Sequence, residues 1–459
     1  MLPDDVLLEI FDLCLDQNQF TEPKIEAWQL LVHVCRRWRS VVFGSPRRLD
    51  LHLDCTDKKP VREMLDVWPP LLLEIQNVDG LENLKEGVNN IVAALEHRDR
   101  VSRINFYDVN RSPWRKILAK MQGPFPELKF LMLGLTLSST FGAQPFPVLP
   151  DSFLRGSVPL LQRLYLSRIP FPGLPNLLLS TTHLVNLSLL RIPDSGYISP
   201  DTMATALSAL ASLELLRLEF ESSRSRPNPE SRCPPPPTRR VLPILTFFSF
   251  TGAYEYLDDL VARIDAPRLK NLSTTIFNDI VLVTLQFIRF ISRTLTLKLL
   301  EIVHVVFESF SATIHFLSQP SGYGSLQVNI CGFMMDRQAS SLKQVCTSCL
   351  PLLGTAKDLY IYRHRLSPPR WEVNIENMVW LEILWAFPAV ENLYLSQEFA
   401  PRIVTALEEL AGGRTTDVLP TLQNIFLERT EPAGHFQEDI GRLVAAQQLS
   451  SHTIPFPTG

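Results

Sequence analysis

Cys346 and Cys349 form the one C-x-x-C in the chain, the spacing at which paired thiolates hold zinc or exchange a disulfide. They fall within SLKQVCTSCL (341–350), whose apolar spacing is helical, with no second pair and no thioredoxin-like setting, so they read as packing thiols. The nine histidines are dispersed and share no ligand spacing with acids or cysteines. The phosphate-cradling GxxxxGKS/T, the nucleophile elbow GxSxG and the zinc-binding HExxH do not occur. A second kind of chemistry is suggested by VCRRWRS (34–40), where three arginines surround a tryptophan and could grip nucleic acid. The formal charge of -4 gives no global pull toward phosphate. The expectation is a non-enzyme with no catalytic residue, no metal, no cofactor and no nucleic-acid partner.

The 459 residues are 46% apolar and 20% charged, enough for two or more packing units and without the bias of a disordered chain. Seven scattered cysteines fit reduced thiols, and hence a cytoplasmic or nuclear setting. MLPDDVLLEIF carries two aspartates where a secretory signal needs basic residues, and no apolar run reaches roughly 18 residues. No membrane partner is expected.

Something must position the arginines, and the neighbouring residues supply it. From Trp28 to Phe43 the apolar residues recur at helical spacing, which predicts one amphipathic helix. A wheel puts Leu31, Val34, Trp38 and Val41 on one face, with Arg36 and Arg39 turned away and Arg37 on the flank. Upstream, LPDDVLLEIF predicts a second helix ending near Leu15: a proline at its opening, acids in the first turn, then Val6, Leu7, Ile10 and Phe11 as a stripe. Two helices this short cannot bury both stripes on each other, so apolar surface is left for a third element or another chain.

The combined pattern LP-x-x-V-L-L-x-I-F, spacer, V-C-x-x-W-R resembles the F-box, the small helical module of cullin-RING ubiquitin ligase receptors. The resemblance covers residues 1–48. It implies docking on a Skp-type adaptor, and through it on a cullin-RING scaffold, by Leu2, Pro3, Val6, Leu7, Ile10 and Phe11 in the first block and by Leu31, Val34, Cys35 and Trp38 around the second. The chain departs from the family in a longer spacer and in SPRRLDLHL, which replaces the usual L-W-x-x-L.

Beyond Pro46 a different period begins. LKFLML (128–133), LQRLYL (161–166), LVNLSL (184–189) and LELLRL (213–218) share leucine at the first, fourth and sixth positions. With other apolar residues allowed, the middle position falls at 73, 104, 131, 164, 187, 216, 248, 272, 300, 328, 359, 393 and 425, and helical patterns occupy several intervals. Strand, loop and helix in repetition resemble irregular leucine-rich repeats: an α/β solenoid on a parallel sheet, over residues 49–432. The Asn or Cys usual three positions past the last leucine is replaced by Ile169 and Ile192, so no regular asparagine ladder is expected. Residues 221–240, with six prolines and five arginines, read as a flexible loop. Residues 433–459 read as a closing helix, FQEDIGRLVAAQQLSS, and a tail.

In such a strand the residue between the last two apolar positions faces away from the helices. In the last three repeats that residue is Tyr360, Tyr394 and Phe426, with Tyr362 beside the first. On neighbouring strands about 4.8 Å apart these rings make one aromatic strip, the candidate surface for a protein substrate. Tyr165 holds the same position too early in the chain to join them.

Overall fold

The computed structural model describes residues 2–16, 31–44, 50–56, 60–67, 70–77, 85–109, 111–135, 147–222, 238–277, 285–297, 300–318, 324–331, 335–348, 354–364, 375–410, 418–428 and 450–454. Its contacts divide the chain into two compact units, Met1–Tyr197 and Ile198–Gly459. The fold class is α/β and leucine-rich-repeat-like, with strand and helix alternating along a mostly parallel sheet in each unit.

The first unit opens with helices α1 (Asp4–Asp16) and α2 (Arg36–Gly44). Strands follow in chain order: β1 (Asp50–Asp54), β2 (Leu72–Gln76), β3 (Val101–Val109), β4 (Phe130–Leu135), β5 (Arg163–Ser167) and β6 (Asn186–Ile192). They lie side by side in that order, each parallel to the next. Helices α3 (Val61–Val67), α4 (Lys85–Ala94) and α5 (Arg111–Lys120) return the chain between strands and pack each on the next. The two-residue side-chain period drives this arrangement: in β2, Leu73 and Ile75 are buried while Leu72, Glu74 and Gln76 remain half-exposed. Trp114, Phe106, Phe125 and Phe153 fill the interior. LPNLLL (174–179), which mimics the strand pattern, lies in helix α6 (Leu174–Ser180), opened by Gly173 and a proline in its first turn.

The second unit begins with α7 (Pro200–Leu207), capped by Ser199, whose hydroxyl accepts from the Thr202 amide. Its strands are β7 (Leu215–Phe220), β8 (Arg240–Val241), β9 (Phe247–Gly252), β10 (Ile264–Asp265), β11 (Asn271–Ile276), β12 (Ile302–Phe307), β13 (Ser311–Leu317), β14 (Ser325–Cys331), β15 (Asp358–Arg363), β16 (Asn392–Leu395), β17 (Asn424–Glu428) and β18 (Ser450–Ile454). Within this unit the sheet order is β7-β9-β11-β14-β13-β12-β15-β16-β17-β18, and β8 and β10 pair separately. Helices α8 (Tyr254–Val261) and α9 (Leu285–Arg293) pack in sequence, as do α10 (Met335–Ser348), α11 (Asn377–Leu384) and α12 (Ala400–Leu410). Aromatic clusters join the leucines inside: Phe220 and Phe250 close on Tyr256, and Phe307, Trp380 and Phe399 meet with centroids 5.0–5.8 Å apart.

Twelve of the thirteen expected middle positions lie in strands. Leu300 does not: it is buried two residues before β12, whose alternation IVHVVF sets a different frame. There the repeat is interrupted. Strand β12 leads by a turn at Glu308–Ser311 into β13, antiparallel to both β12 and β14, so β14 rather than β12 lies beside β11. The closing helix lies outside the described residues except for Ser450 and Ser451, which open β18 instead, parallel to β17. Residues 223–237 of the proline-rich segment also lie outside them. Just after β5, and at the next-to-last residue of β6, each one position before the isoleucine that replaces the usual asparagine, Arg168 and Arg191 take the left-handed conformation at φ 60° and 50°.

Candidate functional site

At the N-terminus the single helix expected over Trp28–Phe43 is corrected. Residues 31 and 32 end one helix, His33 and Val34 turn, Cys35 is non-helical, and α2 begins at Arg36. The Cys35 thiol accepts the Trp38 amide at 3.4 Å, placing a side-chain acceptor where a helix start needs one. The break resets the phase of the wheel. Val32 is buried and Val34 stands 59% exposed, the reverse of what a continuous helix would give.

Two of the three arginines bond within the module. Arg37 donates Nε and Nη2 to Asp4 Oδ1 at 3.2 and 2.7 Å, and Nη2 also reaches the Leu2 carbonyl, tying the start of α1 to the first turn of α2. Arg39 Nε donates to the Val32 carbonyl at 3.0 Å, satisfying an acceptor left by the helix end. Arg36 is exposed.

The resemblance-implied residues therefore divide. Leu7 and Phe11 are sealed, at 3% and 2% exposure, with the Phe11 ring 5.0 Å from Trp38. Val6, Leu31 and Trp38 are half-buried. Leu2, Pro3, Ile10, Val34 and Cys35 are exposed. Residues of the first group close the module, and those of the last leave apolar side chains uncovered at the chain start, on α1 and at the turn before α2.

The aromatic strip sits on the open face of the second unit. Register aligns His304 (β12), Tyr360 (β15), Tyr394 (β16) and Phe426 (β17) in one row, because each strand places that residue between two buried apolar neighbours or beside one. The rings stack nearly parallel: His304 on Tyr360 at 4.5 Å and 4°, Tyr360 on Tyr394 at 4.0 Å and 5°, Tyr394 on Phe426 at 4.4 Å and 10°. Tyr362 lies one step along β15, and its hydroxyl is 3.2 Å from His304 Nδ1. His315, opposite His304 on β13, extends the row with centroids 6.5 Å apart.

Packing ring on ring removes water from their polar groups. Burial, and then the neighbouring His315, push His304 down to about 4, so its imidazole is neutral near pH 7. Burial raises Tyr360, helped by a hydrogen bond with Tyr394, and also raises Tyr362 and Tyr394, so the phenols keep their protons. Beside the row an amide chain crosses three strands: Asn424 Nδ2 donates to Asn392 Oδ1 at 2.8 Å, and Asn392 Nδ2 to Asp358 Oδ1 at 2.7 Å. An asparagine ladder is thus present, on the strand face rather than in the turn where leucine-rich repeats usually carry it.

Tyr165 is separate from the strip, in register with Met132 and Ser188 of the first unit and 6.1 Å from Tyr107. That unit holds another polar cluster absent from the sequence reading. His52 Nε2 lies 3.2 Å from Asp54 Oδ1 and Nδ1 3.3 Å from Glu74 Oε2, and hydrogen bonds to Asp54 first and Glu74 second push it up to about 9. Only strand pairing brings His52 opposite Glu74, 22 residues away. Cys346 is buried, and Cys349 lies outside the described residues. Among the described residues no three His, Cys, Asp or Glu side chains are placed to hold a metal ion, and no helix is long and apolar enough to cross a membrane.

No protein-family model matches the sequence, and no curated protein matches it. Among solved structures the chain is similar to the leucine-rich repeat-containing protein LegL7 of Legionella pneumophila, at 10% identity and a TM-score of 0.28, over 86% of this chain and 98% of that one. The leucine-rich-repeat-like assignment rests on the strand spacing and register described above.

Proposed function

We propose that the chain is the substrate-recognition subunit of a Skp–cullin–F-box ubiquitin ligase, working in the cytoplasm or nucleus. Its N-terminal module docks a Skp-type adaptor that bridges to the cullin-RING scaffold, and the aromatic row holds a protein substrate. The subunit performs no bond chemistry and needs no cofactor; it contributes proximity and orientation, presenting the substrate to a ubiquitin-charged enzyme. One observation carries the reading: Leu2, Ile10 and Val34 stay 51%, 38% and 59% exposed although Leu7, Phe11 and Val32 have already closed the module's interior. Apolar side chains displayed in this way at motif positions suit a partner surface.

The test is affinity capture of the full chain with and without proteasome inhibition, alongside Ile10→Asp. A receptor recovers the adaptor in both conditions and short-lived proteins mainly under inhibition, and Ile10→Asp loses the adaptor. Recovery of neither by the wild-type chain refutes the proposal. A second reading, a free-standing interaction scaffold whose N-terminal helices cap its own repeats, draws on one observation: those helices fall in the same compact unit as β1 to β6. It predicts no adaptor under any condition.

A further inference from the structure

The way the rings stack decides what the row can recognise. Tyr360 and Tyr394 each turn both faces to a ring neighbour at 4.0–4.5 Å, so a ligand meets ring edges and hydroxyls rather than open π-faces. Cation–π capture needs a cation over a face, and the inner rings offer none. If the row takes a charged partner, fixed carboxylates must supply the attraction.

Carboxylates are in excess along these strands. Over residues 301–307, 357–364, 391–398 and 423–428 the acids are Glu301, Asp358, Glu391, Glu398 and Glu428, and the Lys and Arg residues are Lys357 and Arg363; five against two leaves a formal charge of about -3. One of the two cations is already engaged, Arg363 Nη1 lying 3.4 Å from Glu398 Oε1. Asp358, on the open face beside Tyr360, accepts from the neutral Asn392 amide. Glu428 accepts the Gln397 amide at 3.3 Å, which fixes its carboxylate at the far end of β17. By strand alternation Asp358 shares the open face with Tyr360, and Glu428 shares it with Phe426, at opposite ends of their strands, and an extended segment laid over the ring edges passes between these two carboxylates.

We infer that the row binds an extended basic peptide, its apolar or proline residues over the edges of Tyr360, Tyr394 and Phe426 and its Lys or Arg side chains at the flanking carboxylates. This deepens the reading of the row as a recognition surface and is independent of the ligase assignment. Affinity arises from apolar contact along the column, and charge selects the sign of the partner.

The experiment is selection of a random peptide library on the immobilised full chain, with the folded Tyr360→Ala/Tyr394→Ala variant as the subtracting surface. Peptides that depend on the row are expected to carry net positive charge. A synthetic peptide of the selected sequence should bind at least threefold more weakly to Asp358→Asn/Glu428→Gln, a change that keeps the size and shape of both side chains, and more weakly still as salt rises. Enrichment of neutral or acidic peptides overturns the inference, as does an absence of row-dependent peptides or an affinity indifferent to the two amide substitutions. No adaptor is present in the assay, so a failure of the ligase proposal leaves its result intact.

Discussion

Removing Tyr394 from the column tests whether the four rings act as one body or as separate strand residues. Tyr394 lies between Tyr360 at 4.0 Å and Phe426 at 4.4 Å. Each stacked pair is worth about 0.5–1.5 kcal/mol beyond area burial. Tyr394→Ala breaks two such pairs and should cost about 2 kcal/mol from stacking, whereas Phe426→Ala breaks the one with Tyr394 and should cost about 1 kcal/mol. The double variant still loses only those two pairs. It should therefore be less destabilised than the sum of the single variants by about 1 kcal/mol, because the shared contact is counted twice in the sum. The burial energy of each ring cancels in the cycle. Urea unfolding followed by near-UV circular dichroism of the tyrosines supplies the four free energies. Additivity to within about 0.3 kcal/mol would refute the stacked column.

Two histidines give pH dependences of opposite sign. His304 has its folded value near 4, below 6.5, so the unfolded chain binds the proton more readily; stability is fully present above pH 6.5 and is lost as pH falls toward 4. The full gap corresponds to about 3 kcal/mol, which solvent at the half-exposed ring reduces to on the order of 1 kcal/mol, and His304→Phe should flatten that slope in a urea series. His52 has its folded value near 9, so its contribution is complete below pH 6.5 and is lost as pH rises through 9; His52→Gln should remove a comparable slope from the alkaline side only. Immediately before β14, Gly324 has φ +149°, and an added Cβ would lie 2.8 Å from the Thr296 carbonyl oxygen. Gly324→Ala should cost about 2 kcal/mol or more through backbone strain and displacement of that carbonyl, measured as a lowered unfolding midpoint.

The repeat was legible wherever a strand kept the spacing of buried positions that its neighbours use, as at Leu131, Leu164, Leu359 and Leu393. The aromatic strip was legible for the same reason, since a residue between two inward apolar positions has one direction left to point. His304 was missed because Leu300 is also apolar and buried, and it drew the expected frame away from IVHVVF. The antiparallel β13 was hidden because its turn, Glu308-Ser309-Phe310-Ser311, holds none of the glycine, asparagine or proline residues that mark a hairpin. At the N-terminus no glycine or proline marks the break after Val32; a helical wheel assumes continuity and therefore misplaced Val34. His52 with Glu74, and Asn392 with Asp358, depend on pairing between residues 22 and 34 positions apart, which spacing along one strand does not contain.

Whether the N-terminal module offers its uncovered apolar residues to another protein is tested most directly by titrating a purified Skp-type adaptor into the purified chain in a calorimeter. A one-to-one complex is expected, which Ile10→Asp and Val34→Asp each weaken at least tenfold, about 1.4 kcal/mol, with the thermal unfolding of the chain unchanged. An absence of binding by the wild-type chain, or binding that both substitutions leave intact, would contradict it.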